Sequence, residues 1–175
     1  IIDMVVHPTP GYKQKAQAQI LQSHFRTVAF DKLRTEEQLA YAVGALARPI
    51  EDYSALGLYI QTPVKGPKEM QARFDEFKKQ YAVELDNMTE ETFAQLKNAT
   101  LVSLKEQPKN LSDEMSPLIS DWYRENFKFD SKEKLIAEVE NVTLADLKDY
   151  YKKTMLNDQA PRLNIQMRGS KFADK

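Results

Sequence analysis

The 175 residues carry 25 Lys and Arg against 26 Asp and Glu, a net charge of -1, with 42% hydrophobic and 29% charged residues. That balance leaves no basic footprint for nucleic acid or for an anionic membrane surface, and no apolar run approaches the ~18 residues that a membrane-spanning helix needs. The chain has no cysteine, which excludes disulfides and thiolate metal sites, and its length suits one domain with a sizeable core.

Ile2 to Val6 is a β-branched apolar run, read as a strand that His7-Pro8-Thr9-Pro10-Gly11 stops. The chain opens in this strand with no initiator Met, so it is expected to be a piece of a longer protein with any targeting segment upstream. His7 reads as a strand-end residue, with no second ligand near it. Tyr12 to Leu33 reads as a helix whose stripe of Ala18, Leu21, Phe25, Val28 and Ala29 faces a core, with His24 packed beside it. The stretch from Phe30 to Val43 then joins this helix to a central strand. Thr35 with Gln38 fits a capping box that would open a short helical turn, and Glu36 and Glu37 are expected in solvent or paired with Arg48 or a lysine.

Leu39 to Ala47 and Leu56 to Thr62 read as antiparallel strands, because the polar link Arg48 to Ser54 is too short for a crossover helix. Gly44 marks a bulge or a close approach to the backbone. The remainder is helical until near the end. Met70, Phe74, Phe77, Tyr81, Leu85 and Met88 recur at spacings of four and three. Thr89 is the expected N-cap of a helix that buries Phe93, Leu96, Thr100 and Leu104 and stops at Pro108. Ser112 or Asp113 is expected to start another, with Met115, Leu118, Ile119 and Trp122 on one face and with Trp122 and Tyr123 in the core. Ser131 is the expected cap of a short helix carrying Leu135, Ile136 and Val139. Thr143 with Asp146 opens a last helix through Leu144, Leu147, Tyr151 and Met155. After Pro161, the alternation of Leu163, Ile165 and Met167 reads as a final strand. The order predicts an α+β fold, a mostly antiparallel sheet covered by helices on one face. Residues 1–168 form one sandwich domain in this reading, and residues 169–175 a flexible tail.

The junction also carries a likeness. Leu33-Arg34-Thr35-Glu36-Glu37-Gln38-Leu39-Ala40-Tyr41 resembles the Leu-Arg-Thr-x-Glu-Gln-Leu-Gly-Tyr segment of the insulinase/pitrilysin family of zinc metallopeptidases, departing from it only at Ala40, where the family usually has Gly. Weaker likenesses follow at Tyr59-Ile60-Gln61-Thr62, at Met88 to Phe93, at Gln107 to Glu114 and at Phe127-Lys128-Phe129-Asp130, so the resemblance covers most of the chain. It implies the last of four homologous α/β domains, as in the bacterial pitrilysin-like enzymes, with a fold similar to the LuxS and mitochondrial-processing-peptidase-like metallohydrolases. Family members enclose a peptide between two halves, with zinc in the N-terminal half. The resemblance therefore implies that the partners are the catalytic half of the same polypeptide and a peptide substrate. It implies too that Arg34 and Tyr41 face the zinc across the chamber and hydrogen-bond the substrate main chain. It suggests the periplasm, with the cytoplasm also compatible. A φ > 0 at the family's Gly would strain Ala40.

The chemistry itself is absent from the residues. Zinc peptidases need three metal ligands and a carboxylate base. With only His7 and His24 in the chain, neither His-x-x-Glu-His nor its reverse can be written. No Gly-x-Ser-x-Gly or Gly-rich phosphate loop occurs either. The chain alone is expected to be catalytically silent and to bind no zinc. An excised domain would expose the surface that its partners cover, which could support a dimer. The competing expectation is a purely structural or assembly domain, in which Arg34 pairs with Glu37 or Asp31 and Tyr41 fills the sheet face.

Overall fold

The computed structural model describes residues 1–172. Four strands, β1 (Ile2–Val6), β2 (Ala42–Ile50), β3 (Tyr53–Gln61) and β4 (Arg162–Ile165), form one sheet in the order β2-β3-β1-β4. Every pairing is antiparallel. Six helices accompany them: α1 (Tyr12–Ala29), α2 (Pro67–Asp86), α3 (Glu90–Lys105), α4 (Leu111–Tyr123), α5 (Ser131–Asn141) and α6 (Leu144–Thr154). The α+β class read from the sequence is the fold observed.

Register divides the sheet into two faces. Val43, Ala45, Leu56, Leu58, Ile60 and Val5 share one side and join a single buried core with the helices. The other side carries Met4, Leu46, Tyr59, Leu163 and Ile165, and the last three are exposed at 37%, 46% and 44%. On that side Gly44 lets the Tyr59 ring lie close to the backbone, since a Cβ there would fall 2.6 Å from the ring. The hairpin is tighter than expected. Ile50 pairs with Tyr53, leaving Glu51 and Asp52 as the turn, with Glu51 at φ 50°. Pro49 is tolerated inside β2 because β2 is an edge strand, where a missing N–H breaks no ladder.

α1 is the hub and touches β2, β3, α2, α3, α5 and α6. Its Phe25 ring meets Tyr81 edge-on at 4.6 Å and lies 5.7 Å from Phe77 and 5.9 Å from Tyr151. The buried tyrosine hydroxyls are satisfied: Tyr151 donates to the Lys78 carbonyl at 2.8 Å and Tyr81 bonds His24 Nδ1 at 2.8 Å. Tyr150 bonds Ser54 Oγ at 3.1 Å, and burial pushes its hydroxyl up to about 12. The caps at Thr89 and Thr143 form as expected, each accepting an N–H three residues on. Two others shift. Asn110, rather than Ser112 or Asp113, caps α4, and Ser131 is the first residue of α5 rather than its cap.

The largest correction concerns α4. Trp122 and Tyr123, expected in the core, are exposed at 63% and 82%. Met115, Leu118 and Ile119 are exposed as well. The apolar spacing does make one face, but α4 packs chiefly on α5 and at the margin of the helical layer.

One buried charge knits the sheet to the helices. Asp3 is fully buried in β1. It accepts from Lys78 Nζ in α2 at 2.5 Å and from Arg162 Nε and Nη2 in β4 at 2.5 and 2.9 Å. Burial pushes its pKa up, but the hydrogen bonds and charges of Arg162 and Lys78 outweigh burial and hold the carboxyl below its ordinary range. Removing the shared carboxylate leaves the buried Lys78 with only the half-exposed Asp75 at 3.4 Å, at a cost of about 3 kcal/mol. Asp3→Ala is therefore expected to lower unfolding free energy in urea by about that amount. Lys78→Met, which leaves Asp3 with Arg162, should cost less than half as much. Equal losses would show that the network does not centre on Asp3.

Candidate functional site

The helix predicted to stop at Leu33 instead changes pitch. After Ala29 the chain stays helical, and Phe30–Glu36 winds as a π-helix, closed by Glu37 N–H donating to the Lys32 carbonyl at 3.0 Å. Such segments are rare and concentrate at functional sites. Leu39 N–H then donates to the Leu33 carbonyl at 2.9 Å, so the chain doubles back with Leu33 and Leu39 both in the core. Gln38 takes the left-handed conformation this requires, at φ 52°. The capping box expected from Thr35 and Gln38 is absent, because Thr35 lies at the end of a helical segment and not ahead of one.

The position of positive φ settles the status of Ala40. The strained residue is Gln38, two positions earlier, so alanine costs no backbone energy and its side chain packs against the core.

A buried ion pair holds the junction to α2. Glu37 accepts from Arg73 Nε at 2.8 Å and from Arg73 Nη2, and Nη2 also donates to Gln80 at 3.0 Å. This corrects the expected pairing with Arg48 or a lysine. Arg48 sits near the far end of β2, whereas Arg73 faces the junction from α2 with its side chain only 8% exposed. Hydrogen bonding from Arg73 keeps the Glu37 carboxyl below its usual range. Glu36 pairs with Lys32 at 2.7 Å.

With its neighbours engaged, the motif leaves two donors outward. Arg34 is exposed and makes no ion pair among the described residues; its guanidinium lies 4.6 Å from the centre of the Phe30 ring, four residues earlier. Tyr41 is exposed at 77%. Its backbone N–H is held by the Gln61 carbonyl at 2.9 Å, which anchors the residue at the mouth of β2 while the phenol points to solvent. The two donors flank one short connection. A guanidinium and a phenol both suit a carbonyl oxygen or a developing oxyanion.

Both histidines are packing residues. His7 is stacked on Tyr150 at 5.1 Å with Nδ1 against the Thr9 backbone, and His24 is bonded to Tyr81. Burial lowers the pKa of each. Among the described residues no group of three or more His, Cys, Asp or Glu could hold a metal ion. The described residues do not fit a zinc site.

Two residues of the site escaped the sequence reading, and each had left a trace. Phe30 precedes Arg34 by four, a spacing that brings helical side chains together. Arg73 lies three after Met70 and four before Phe77, on the buried stripe of α2, where a cation demands a buried partner.

With this geometry in place, likeness to known proteins is informative. The model of the family described as PQQ synthase PqqF-like, C-terminal lobe domain 4, matches residues 18–119. The chain belongs to this family. Protease 3 of Salmonella typhi is 32% identical over 152 residues, covering 87% of this chain and 15% of the relative. Insulin-degrading enzyme of Drosophila melanogaster is 27% identical over 133 residues, 76% of this chain and 13% of that protein. The chain thus spans about 15% of the length of such relatives. The crystal structure of pitrilysin superposes with a TM-score of 0.83 at 28% identity over 92% of this chain and 17% of its own. The periplasmic protease PqqL from Escherichia coli shares the fold at a TM-score of 0.62 and 12% identity, over 87% of this chain and 18% of its own. The family is a C-terminal domain of insulinase-type metallopeptidases, and the whole motif from Leu33 to Tyr41 lies within the matched residues.

If Glu37 holds the junction while Arg34 is held in reserve, the two respond differently to truncation. Glu37→Ala, which leaves the buried Arg73 with only Gln80 and the exposed Glu76 at 3.8 Å, is expected to cost about 3 kcal/mol of stability. Arg34→Ala should stay within about 0.5 kcal/mol of the parent. Chemical denaturation of both variants checks this, and a large loss at Arg34 would mean the guanidinium is structural.

Proposed function

We propose that this chain is the non-catalytic C-terminal domain of a zinc metalloendopeptidase, closing over a bound peptide and offering Arg34 and Tyr41 to its main chain opposite a zinc site in the N-terminal half of the same polypeptide. The observation that supports this most is the division of labour within one motif. Leu33 and Leu39 are buried, Glu37 is tied to Arg73, and Arg34 and Tyr41 are turned outward, with no acid or carbonyl partner for their side chains among the described residues. A domain that only packs has no need of two unpaired donors beside a strand mouth. One preorganised donor aimed at a developing oxyanion supplies roughly 3 kcal/mol of transition-state stabilisation. Contacts to the main chain are indifferent to side-chain sequence, which suits a peptidase of broad specificity. The pitrilysin-like resemblance suggests a periplasmic parent, with a cytoplasmic one also compatible.

A second reading, assembly alone, draws on the exposed apolar face of α4. Leu111 and Trp122 are exposed at 73% and 63%, a surface that packing against the rest of a longer chain would cover. The two readings part on one experiment. In the full-length protein, Tyr41→Phe is expected to lower kcat on a peptide more than tenfold, about 1.4 kcal/mol, with zinc content and Tm unchanged. Unchanged activity would remove Tyr41 from the substrate and leave assembly as the function.

A further inference from the structure

Far from the junction, a cavity of about 330 Å³ opens between α1, the far end of the β2–β3 hairpin, α3, α4 and α5. Its walls are apolar, with Tyr12, Leu104 and Leu135 among them, and its charges are of one dominant sign. Lys15, Arg48, Arg124 and Lys132 line it, against Glu106 as the one lining acid.

The cations are poorly neutralised. Glu106 is already held by Lys109 at 2.6 Å. Among the described residues, Arg48, Arg124 and Lys132 have no carboxylate within ion-pair distance, although Arg124 and Lys132 are half-buried. Lys15 has its side chain only 11% exposed, and its single acid, Asp52 at 3.6 Å, is 85% exposed and so well hydrated. Its ammonium lies 4.9 Å from the centre of the Tyr12 ring. Burial and the like charge of Arg124 both lower its pKa, against a smaller pull from Asp52 and Asp121. Asp121 is itself buried and takes the Ser131 N–H at 3.3 Å. A buried, crowded ammonium in an apolar cavity is costly unless an anion joins it.

We propose that this cavity binds a small organic oxyanion, its carboxylate or phosphate head set among Lys15, Arg124 and Lys132 and its apolar part against Tyr12, Leu104 and Leu135. The site is separate from the Arg34–Tyr41 junction and stands whether or not the peptidase reading does. The combination selects for an anion with a short hydrocarbon portion: the cations alone would take any anion, and the apolar walls reward only one that carries a tail.

The test is an amide NMR titration of the chain with hexanoate, butyl phosphate and inorganic phosphate. The expected result is saturable shifts at Lys15, Arg124 and Leu135 with one or both alkylated anions, and at least tenfold weaker binding of inorganic phosphate. The tighter of hexanoate and butyl phosphate identifies the head group. Lys15→Met and Arg124→Gln should each weaken binding at least fivefold at unchanged Tm. If Lys15→Met does not fold, Arg124→Gln and Lys132→Gln carry the test, since neither side chain has an ion-pair partner to lose among the described residues. Non-saturable shifts, equal shifts at the exposed Lys79, equal affinity for inorganic phosphate, or variants that bind like the parent would each overturn the proposal.

Discussion

The contact between the Glu37 carboxylate and the Arg73 guanidinium is what the rest of the junction depends on. A chain that leaves a π-helical segment and doubles back within five residues has few backbone hydrogen bonds to hold it. Two do so here, from Glu37 to Lys32 and from Leu39 to Leu33. The ion pair adds a cross-link to α2, and α2 is fixed in turn by Phe74, Phe77 and Tyr81 in the core. Burial makes the contact consequential. An exposed pair contributes little, but a guanidinium taken out of water must keep its partner.

The same logic recurs at Asp3. There a carboxylate in the sheet is matched by Lys78 of α2 and Arg162 of β4. Both buried cations of α2 thus face acids from other elements, one in the junction and one in the first strand. α2 ties the beginning of the chain, the junction and the last strand together by charge, while α1 holds the helices by aromatic packing. Opposite-sign pairs are spent on holding the fold. Among the described residues, Arg34 at the junction and Arg48, Arg124 and Lys132 at the hairpin-end cavity have no acid within ion-pair distance.

Much of this was legible in the sequence, and the exceptions have physical reasons. The helical spacing of Met70 to Met88 and the apolar runs of β1 and β3 reflect burial against a continuous core, which leaves a signature in the sequence. Thr89 and Thr143 act locally, so a few residues suffice to read them. The π-helix was not legible because its residues have ordinary helical composition; only the pairing of amides changes. α4 was misread because periodicity tells which side of a helix is apolar and not whether anything lies against it, so Trp122 and Tyr123 were assigned to a core that does not reach them. Glu37 was paired with the wrong cation because ion pairs between distant elements leave no spacing rule. The outward placement of Arg34 and Tyr41 was reached through resemblance, since neither composition nor spacing separates a free donor from a packed one.

The most direct measurement places a photo-reactive benzoylphenylalanine at position 41 of the full-length, zinc-loaded protein and irradiates it with a labelled peptide substrate. A cross-link to the peptide that excess unlabelled substrate suppresses, and that is absent when the same group replaces the exposed Val83 on α2, is the result expected if the junction touches substrate. No cross-link from position 41, or an equal one from position 83, would contradict it.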